Sequence, residues 1–417
     1  MRISKLAKSD YLGISIVFIV YLLELWYLPR KQFSDFAYYL EETKRYKLVG
    51  NLSELFIHLK SPFIVGFLGG LCDLNLLVWK IGMLITILSL SVFYLIFTRT
   101  ESGIIRWIGF FLVAFSPILI SLFPYVNTDI LFAGLFILGH IFLFEKLNDS
   151  SKGSSVLRWV FASLIFGIAQ SIRSVMLYYY IFLIGFWFLY VLHLKSTSLK
   201  LFFYKVIIGL FVFGTISISI HKYYGYGWSI QPLSAGKISL YIGANSQLRG
   251  GYSDSDGQRA IGLVLQRIQT KNTIYTDSLE TIALDRMRKN AVQNAISIPI
   301  KAFNLHNPYV TSVFLDLRNR NAMEVLLKFL LIVISFLTIL TYLLNFFVLS
   351  HAIIRNKQEH LPLYYRIILL AVYSYSILHI SLLEIQPRYF LHLSLIQLFL
   401  LNDTVKYLIN LKKTTNT

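Results

Sequence analysis

Apolar runs of close to twenty residues recur along this chain, and they constrain its fold more than any other feature. A hydrocarbon core about 30 Å thick is crossed by about 20 helical residues, so each run is a candidate transmembrane helix. The candidate spans are Tyr11–Leu28, Leu74–Phe97, Ile104–Leu122, Ile130–Phe144, Val156–Ile172, Val175–Leu194, Phe202–Ile220, Val325–Ser350, Ile367–Leu383 and Tyr389–Leu408. The sequence therefore predicts an all-α polytopic membrane protein with about ten transmembrane helices.

Composition agrees with this class and excludes others. The 417 residues are 56% hydrophobic and only 14% charged, whereas soluble domains carry about 25% charged residues. The net charge of +18 does not indicate a nucleic-acid partner, because the basic residues are scattered at the ends of the apolar runs, as in membrane anchoring. The one cysteine, Cys72, allows no internal disulfide. The first apolar run lacks a small-residue cleavage site and is expected to be an uncleaved helix.

The distribution of lysine and arginine predicts the orientation. With a cytoplasmic N-terminus, every short connection on the inner side is basic. These inner residues are Arg99, Arg106, Lys146, Lys152, Arg158, Lys195, Lys200, Arg355, Lys357, Arg366, Lys412 and Lys413. The short outer connection Phe123–Asp129 has no basic residue, which agrees with the positive-inside rule. The long segment Tyr223–Asn321 is then extracytoplasmic.

These assignments divide the chain into three parts. Residues 1–222 form an N-terminal transmembrane module with a first outer loop at 30–73, residues 223–323 form an extracytoplasmic loop region, and residues 324–417 form the C-terminal transmembrane helices. In the first outer loop, Pro62–Leu71 is too short to span and predicts an interfacial or re-entrant helix. The extracytoplasmic region is expected to be small and mixed, with a helix at Ser278–Ala295.

Polar residues near the predicted outer ends of the helices indicate a functional site. They are Asp35, Asn127, Asp129, Gln170, Arg173, Glu384, Arg388 and Tyr389. Ionisable groups at membrane depth are costly and are usually functional or paired. Two aspartates and two arginines on one face therefore predict a shared site.

Most of the charged residues in this set, and Tyr38 nearby, also have a structural explanation. Asp35 and Asp129 each stand where a helix begins, so either could be an N-cap. Arg173 could extend to the interface, and Glu384 could pair with Arg388. Tyr38 could belong to an interfacial aromatic belt. The glycines of residues 243–251 match no nucleotide-binding pattern and are expected to permit turns.

Six short pieces, in this order and on one predicted side, carry a resemblance. They are Ser34-Asp35 with Tyr38, Ser61-Pro62-Phe63, Phe115-Ser116-Pro117 with Pro124–Asp129, Arg173, Tyr241–Asn245 with Gly250-Gly251-Tyr252, and Pro387-Arg388-Tyr389. Together they resemble the integral-membrane glycosyltransferases of the C-type (GT-C) fold. That group includes protein O-mannosyltransferases, lipid A aminoarabinose transferases and bacterial transferases of polyprenyl-phosphate sugars.

The resemblance implies an extracytoplasmic site in a bacterial plasma membrane, where a sugar leaves a polyprenyl phosphate and joins an acceptor hydroxyl with inversion. It implies Asp35 as the general base, with Asp129 orienting the acceptor or holding Arg173. The cations expected at the donor phosphate are Arg173, Arg388, Lys237 and Arg249. The residues expected to position substrate are Tyr38, Asn127, Asn245 and Tyr389.

The expected partners are the lipid-linked donor, a glycan, lipid or protein acceptor, and the bilayer, with no nucleic acid. No cofactor is predicted. A divalent metal is not supported, because Asp254-Ser255-Asp256 does not stand where metal-dependent oligosaccharyltransferases carry their acidic pattern. Two other functions remain open: a transporter or flippase of lipid-linked saccharides, and a polysaccharide polymerase or ligase, which would rely on arginines more than on an acidic base.

Overall fold

The computed structural model describes residues 6–27, 34–98, 103–123, 125–144, 152–193, 199–245, 247, 253–305, 322–355, 361–383 and 390–415. The regular elements of these residues are helices. The first eleven are α1 (Lys8–Tyr27), α2 (Ser34–Val49), α3 (Glu54–Leu59), α4 (Phe63–Gly66), α5 (Leu76–Phe97), α6 (Ile104–Ala114), α7 (Pro117–Leu122), α8 (Asp129–Phe144), α9 (Lys152–Ile172), α10 (Met176–His193) and α11 (Leu199–Tyr223). The remainder are α12 (Ala235–Gly243), α13 (Asp254–Thr270), α14 (Ile274–Lys289), α15 (Ala291–Leu305), α16 (Ala322–Ile354), α17 (Leu363–Leu382), α18 (Leu391–Phe399) and α19 (Leu401–Thr415).

Four helical segments in the described residues are long and apolar enough to cross a membrane. They are Leu76–Phe97, Leu199–Tyr223, Ile332–Ile354 and Leu363–Leu382, and shorter apolar helices accompany them. The helical fold class is thus confirmed for this part of the chain. The figure of about ten spans stays a prediction.

Two predicted spans and one predicted outer helix are interrupted. The run Ile104–Leu122 breaks at Phe115 and Ser116, because Pro117 begins α7 and proline is suited to a first helical position. The run Tyr389–Leu408 divides at Leu400, between α18 and α19. The predicted helix Ser278–Ala295 ends at Asn290, whose side-chain amide donates to the carbonyl of Arg286 at 3.1 Å.

Close helix packing in the bundle depends on small residues at a few contacts. The pairs α9–α11 and α8–α9 pack side by side, and α10 packs on α17. A Cβ on Gly209 of α11 would lie 2.2 Å from the indole nitrogen of Trp159 on α9. Glycine is therefore needed for these two helices to approach this closely.

The segment predicted to be the first outer loop, residues 30–73 and called the first outer loop below, forms short helices in its described part that pack on one another. The predicted interfacial helix Pro62–Leu71 is α4, which continues into a π-helical turn, Phe67–Leu71. Ser53 caps α3, since its hydroxyl accepts from the backbone N–H of Phe56 at 3.2 Å. The carboxylate of Glu42 on α2 accepts from both the hydroxyl and the backbone N–H of Ser53, at 2.6 and 3.0 Å. These bonds fix α3 against α2.

The region predicted to be extracytoplasmic, residues 223–323, is helical, rather than mixed, in its described part. Helices α12, α13 and α14 share a small core, which contains Tyr241, Ile242, Ala244, Ala260, Leu279 and Ala283. Gly243, at the end of α12, lies directly on the end of α17, because a Cβ there would come within 2.4 Å of the Leu383 carbonyl carbon. This close approach seats the three-helix group on the bundle.

Candidate functional site

A cavity of about 930 Å³ lies between the helix bundle, the first outer loop and the three-helix group. Its floor comes from the turn between α9 and α10 and from the last turn of α17. One wall comes from α2, α3 and the residues after α3, and the roof comes from α12 with parts of α13 and α14. The polar residues that line the cavity include Tyr38, Lys60, Arg173, Lys237, Glu280, Tyr375 and His379.

Arg173 enters this cavity while paired with a buried aspartate. It follows the last residue of α9, and its guanidinium forms an ion pair with Asp129, the first residue of α8. The two side chains are 17% and 4% exposed. Gln170 closes the turn that carries Arg173, since it accepts from the backbone N–H of Leu177 at 2.9 Å and donates to the carbonyl of Ile230 at 3.1 Å. Asp129 is thus positioned to hold Arg173 in place.

The role of helix cap belongs to Asn127 and not to Asp129. The Asn127 carbonyl oxygen accepts from the backbone N–H groups of Asp129 and Ile130, both at 3.1 Å. Its amide donates to the carbonyls of Leu122 and Tyr125 at 2.8 and 2.9 Å. The side chain is fully buried, and all four of these hydrogen bonds are made with backbone groups. Its geometry therefore explains Asn127 as a structural clamp, in place of the predicted substrate contact.

Lys237 lies on the roof within a group of opposite charges. Its ammonium pairs with Asp277 and lies 3.7 Å from a carboxylate oxygen of Glu280, both on α14. The hydrogen bond from Lys237 lowers the pKa of the exposed Asp277 carboxyl. Lys237 therefore brings a positive charge to the cavity roof. Asp277 and Glu280 partly balance that charge.

Several lining residues were not predicted as site residues from the sequence. The ammonium nitrogen of Lys60 lies 6.0 Å from the centre of the Tyr39 ring. The sequence could have indicated Lys60, because it immediately precedes the Ser61-Pro62-Phe63 piece. On the floor, the hydroxyl of Tyr375 lies 3.3 Å from Nδ1 of His379, one helical turn further along α17. Both side chains are buried. No feature of the sequence indicated that Glu280 would line the cavity.

Tyr38 lines the cavity as predicted for a substrate-positioning residue, but Asn245 does not. The ring of Tyr38 packs on Phe56, with ring centroids 5.5 Å apart, and burial raises its pKa. The amide of Asn245 donates to Asp256 at 2.7 Å, which places Asn245 in the three-helix group.

The remaining predicted site residues fall outside what the structure describes. Asp35 is the second residue of α2, and the structure describes its backbone but not its side chain. Arg249, Arg388 and Tyr389 lie outside them entirely. Their roles stay predictions. Among the described residues, no group of three His, Cys, Asp or Glu side chains is arranged to hold a metal ion.

The cavity has the size and charge to receive a small anionic group. Ligand pockets typically measure about 300–1,000 Å³, and this cavity is in that range. Arginine and lysine on its walls can donate charge-assisted hydrogen bonds to phosphate oxygens. Aromatic side chains on the floor and wall can contact a sugar ring or an apolar chain. Glu280 and His379 add a carboxyl group and an imidazole to the lining.

No family model matches this chain, and neither a curated protein nor a solved structure shows detectable similarity to it.

Proposed function

We propose that this protein is a multi-pass membrane glycosyltransferase, which moves a sugar from a polyprenyl-phosphate donor to an acceptor hydroxyl on the extracytoplasmic face. The observation that carries the proposal is the cavity itself. It lies at the end of the helix bundle under a helical roof, and it brings Arg173, Lys60 and Lys237 to one space. A site at this depth suits a substrate that is part lipid and part polar.

The cations of the cavity suit the leaving phosphate. Arg173 is held by Asp129 at the floor, and Lys60 lines the wall of the same cavity. A phosphate that leaves the sugar gains negative charge on the departing oxygen, and positioned cations stabilise that charge in the transition state. Preorganisation by the buried Asp129 carboxylate keeps the guanidinium from having to reorient during the reaction.

The reaction is a single displacement. The acceptor oxygen attacks the anomeric carbon of the sugar, while the bond from that carbon to the phosphate oxygen breaks and its electron pair stays on the phosphate. The proton of the acceptor hydroxyl passes to a general base, and the resemblance assigns that role to Asp35. Attack opposite to the leaving group inverts the anomeric centre. Nucleotide sugars are cytosolic, so an outer site requires a lipid-linked donor.

Sugar transfer by the purified protein from polyprenyl-phosphate sugars tests this proposal. General-base contributions are typically about 10²–10⁴-fold, so Asp35→Asn should lower turnover by at least about 100-fold with little change in donor binding. Asp254→Asn removes an exposed carboxylate at the start of α13 and serves as the matched control, with turnover unchanged. Near-normal turnover of Asp35→Asn would leave Asp35 as a residue of the α2 N-terminus and remove it from the mechanism.

One observation favours a transporter or flippase as the second candidate. Polar side chains continue below the cavity into the bundle, where Nε2 of His140 on α8 lies 2.8 Å from the hydroxyl of Tyr179 on α10. Both residues are buried, and ionisable groups inside a membrane bundle often mark transport pathways. Movement of a lipid-linked saccharide across vesicles, without sugar transfer to any acceptor, would favour this candidate over the transferase.

A further inference from the structure

Helix α15 exposes large apolar side chains and buries two polar ones, and the polar Gln293 is exposed beside the apolar residues. Val292 and Ile296 are 74% and 67% exposed, and Pro299 is also exposed. On the other side, Ser297 and Lys301 are 4% and 1% exposed. The surface helix of a soluble protein has the opposite arrangement.

The exposed residues form one continuous stripe. Positions 292, 296 and 299 are spaced by four and three residues, which places them on one face of a helix. Position 301 lies about half a turn away from position 292, on the opposite face. The apolar exposure therefore extends along one face of the helix and is not produced by a single residue.

Contacts of the polar side fix which way α15 faces. The ammonium of Lys301 donates to the carbonyl of Gly243, the last residue of α12, at 3.3 Å. The buried hydroxyl of Ser297 is satisfied within α15 itself, because it donates to the carbonyl of Asn294 at 2.7 Å. Ile298 and Ala302, on the flank, pack against the main core. The apolar stripe is thereby directed away from the protein.

The position of α15 indicates what covers the stripe. α15 packs against α17, whose segment Leu363–Leu382 is long and apolar enough to span a membrane. Further along the chain, α16 contains another such segment, Ile332–Ile354, with Ile332 and Phe336 exposed. The apolar stripe therefore belongs to a helix that packs directly on a candidate spanning helix, α17, which itself exposes Ile377.

Exposed aromatic side chains stand at the end of α11, a third candidate spanning helix. Tyr223 ends α11, and Trp228 follows it; they are 76% and 78% exposed. The ammonium of Lys222 lies 3.9 Å from the centre of the Trp228 ring. Tyrosine and tryptophan are enriched at membrane–water interfaces. These residues stand at the end of α11 that leads to α12 and the cavity roof. They therefore indicate that the membrane–water interface lies at this end of the bundle.

We propose that α15 lies in the bilayer interface, with Val292, Ile296 and Pro299 in contact with lipid acyl chains. The lipid bilayer is the partner, and α15 anchors the cavity roof to it: α14 leads directly into α15, and Lys301 ties α15 to α12. This inference goes beyond the proposed function and does not depend on it, because it rests on the exposure pattern of α15 and on the spanning helices.

Site-directed spin labels in nanodiscs test this proposal. The only cysteine, Cys72, is buried, and Cys72→Ser gives a background without thiols. Single variants Val292→Cys and Ile296→Cys carry a nitroxide, with Ile332→Cys as the lipid-exposed reference and Gln258→Cys, exposed on α13, as the aqueous reference. Lipid-soluble oxygen and a water-soluble nickel chelate measure the environment of each label.

We expect the labels at 292 and 296 to resemble the label at 332, with high oxygen and low nickel accessibility. Nickel accessibility like that at position 258 would overturn the proposal. Labels shielded from both reagents would also overturn it, because a protein partner would then cover the stripe. The double variant Val292→Asn with Ile296→Asn should lower the Tm in nanodiscs; an unchanged or higher Tm would place the stripe in water.

Discussion

The guanidinium of Arg173 and the carboxylate of Asp129 form an ion pair that joins the end of α9 to the first residue of α8. The pair is almost fully enclosed, with the arginine partly open to the cavity. Asp129 is therefore neither the cap of its helix nor a solvated residue, and it holds Arg173 at the cavity floor. A second buried pair, Arg106 with Asp10 at 2.8 Å, does not line the cavity and provides a comparison.

The first prediction concerns the energy of the Arg173–Asp129 pair. Removing one partner of a buried ion pair leaves an uncompensated charge and typically costs about 3–5 kcal/mol. Arg173→Gln and Asp129→Asn should each lower the free energy of unfolding by about that amount, and the double variant should lose less than their sum. Chemical unfolding in detergent measures this cycle.

Arg106→Gln and Asp10→Asn are the controls for that cycle. They should give a similar coupling in stability, because that pair is also buried. They should leave donor binding unchanged, whereas Arg173→Lys, which keeps the charge, should weaken donor binding about tenfold, or about 1.4 kcal/mol. Equal donor affinity in Arg173→Lys and the unaltered protein would contradict a phosphate contact by Arg173.

The second prediction concerns filling the cavity without disturbing the fold. Gly236 lines the cavity roof, and a Cβ there would meet nothing within 4 Å. Gly236→Trp should fill part of the cavity and lower substrate binding by about tenfold or more, while the Tm stays within about 2 °C. Gly262 on α13 has equally open surroundings and does not line the cavity, so Gly262→Trp should keep normal binding. Equal binding by both variants would show that substrate does not occupy this space.

The third prediction concerns the contact between α12 and α17. A Cβ on Gly243 would lie within 2.6 Å of two backbone oxygens, those of Leu382 and Leu383. Backbone cannot yield as a flexible side chain can, so Gly243→Ala should separate the two helices and lower stability by about 1–3 kcal/mol. Gly236→Ala, on the same helix in open space, should be neutral or stabilising. Thermal unfolding compares the two, and equal Tm values would contradict the close approach.

The fourth prediction is a pH dependence of the three-helix group. Burial acts to raise the pKa of Asp256, but hydrogen bonds from Asn245, Arg286 and Tyr241 outweigh it and lower the pKa below its usual value. Arg286 donates to this carboxylate at 3.1 Å. A lowered folded-state pKa contributes stability above the unfolded pKa of about 3.9, and this contribution is lost as pH falls through the folded value.

Hydrogen exchange of the α12 and α14 amides should therefore accelerate on lowering the pH from about 5 to about 3, after correction for intrinsic rates. Asp256→Asn should remove most of this change and make exchange faster at neutral pH, because Arg286 loses its charged partner. Asp254→Asn, an exposed neighbour, should retain the response. A response that persists unchanged in Asp256→Asn would assign the pH dependence to another group.

The fifth prediction is the orientation. Gln258 on α13 and Arg355 after α16 are both exposed, and the basic inner connections place them on opposite sides of the membrane. In the Cys72→Ser background, Gln258→Cys should react with an impermeant maleimide in intact cells, whereas Arg355→Cys should react only after lysis. The reverse pattern would invert the orientation and move the cavity to the cytoplasmic side.

The sequence by itself determined the helical class of the chain and which polar residues stand near the ends of its predicted helices. Helix formation depends on backbone bonds between residues four apart and on the local run of apolar side chains, and both can be read along the chain. For this reason the helical class was predicted correctly for the described residues. Tyr38, Arg173 and Lys237, predicted to share an outer site, do line one cavity.

Only the tertiary structure decided what those residues contact, because contacts between distant segments depend on packing that no local pattern encodes. Asp129 was predicted as a possible cap of α8, but it pairs with Arg173, and the side-chain oxygen of Asn127 accepts from the first backbone N–H groups of the helix instead. His379 enters the cavity because α17 ends beneath α12. The outward apolar face of α15 could not be deduced from its sequence, since an amphipathic pattern fixes two faces of a helix and only its neighbours determine which one is buried.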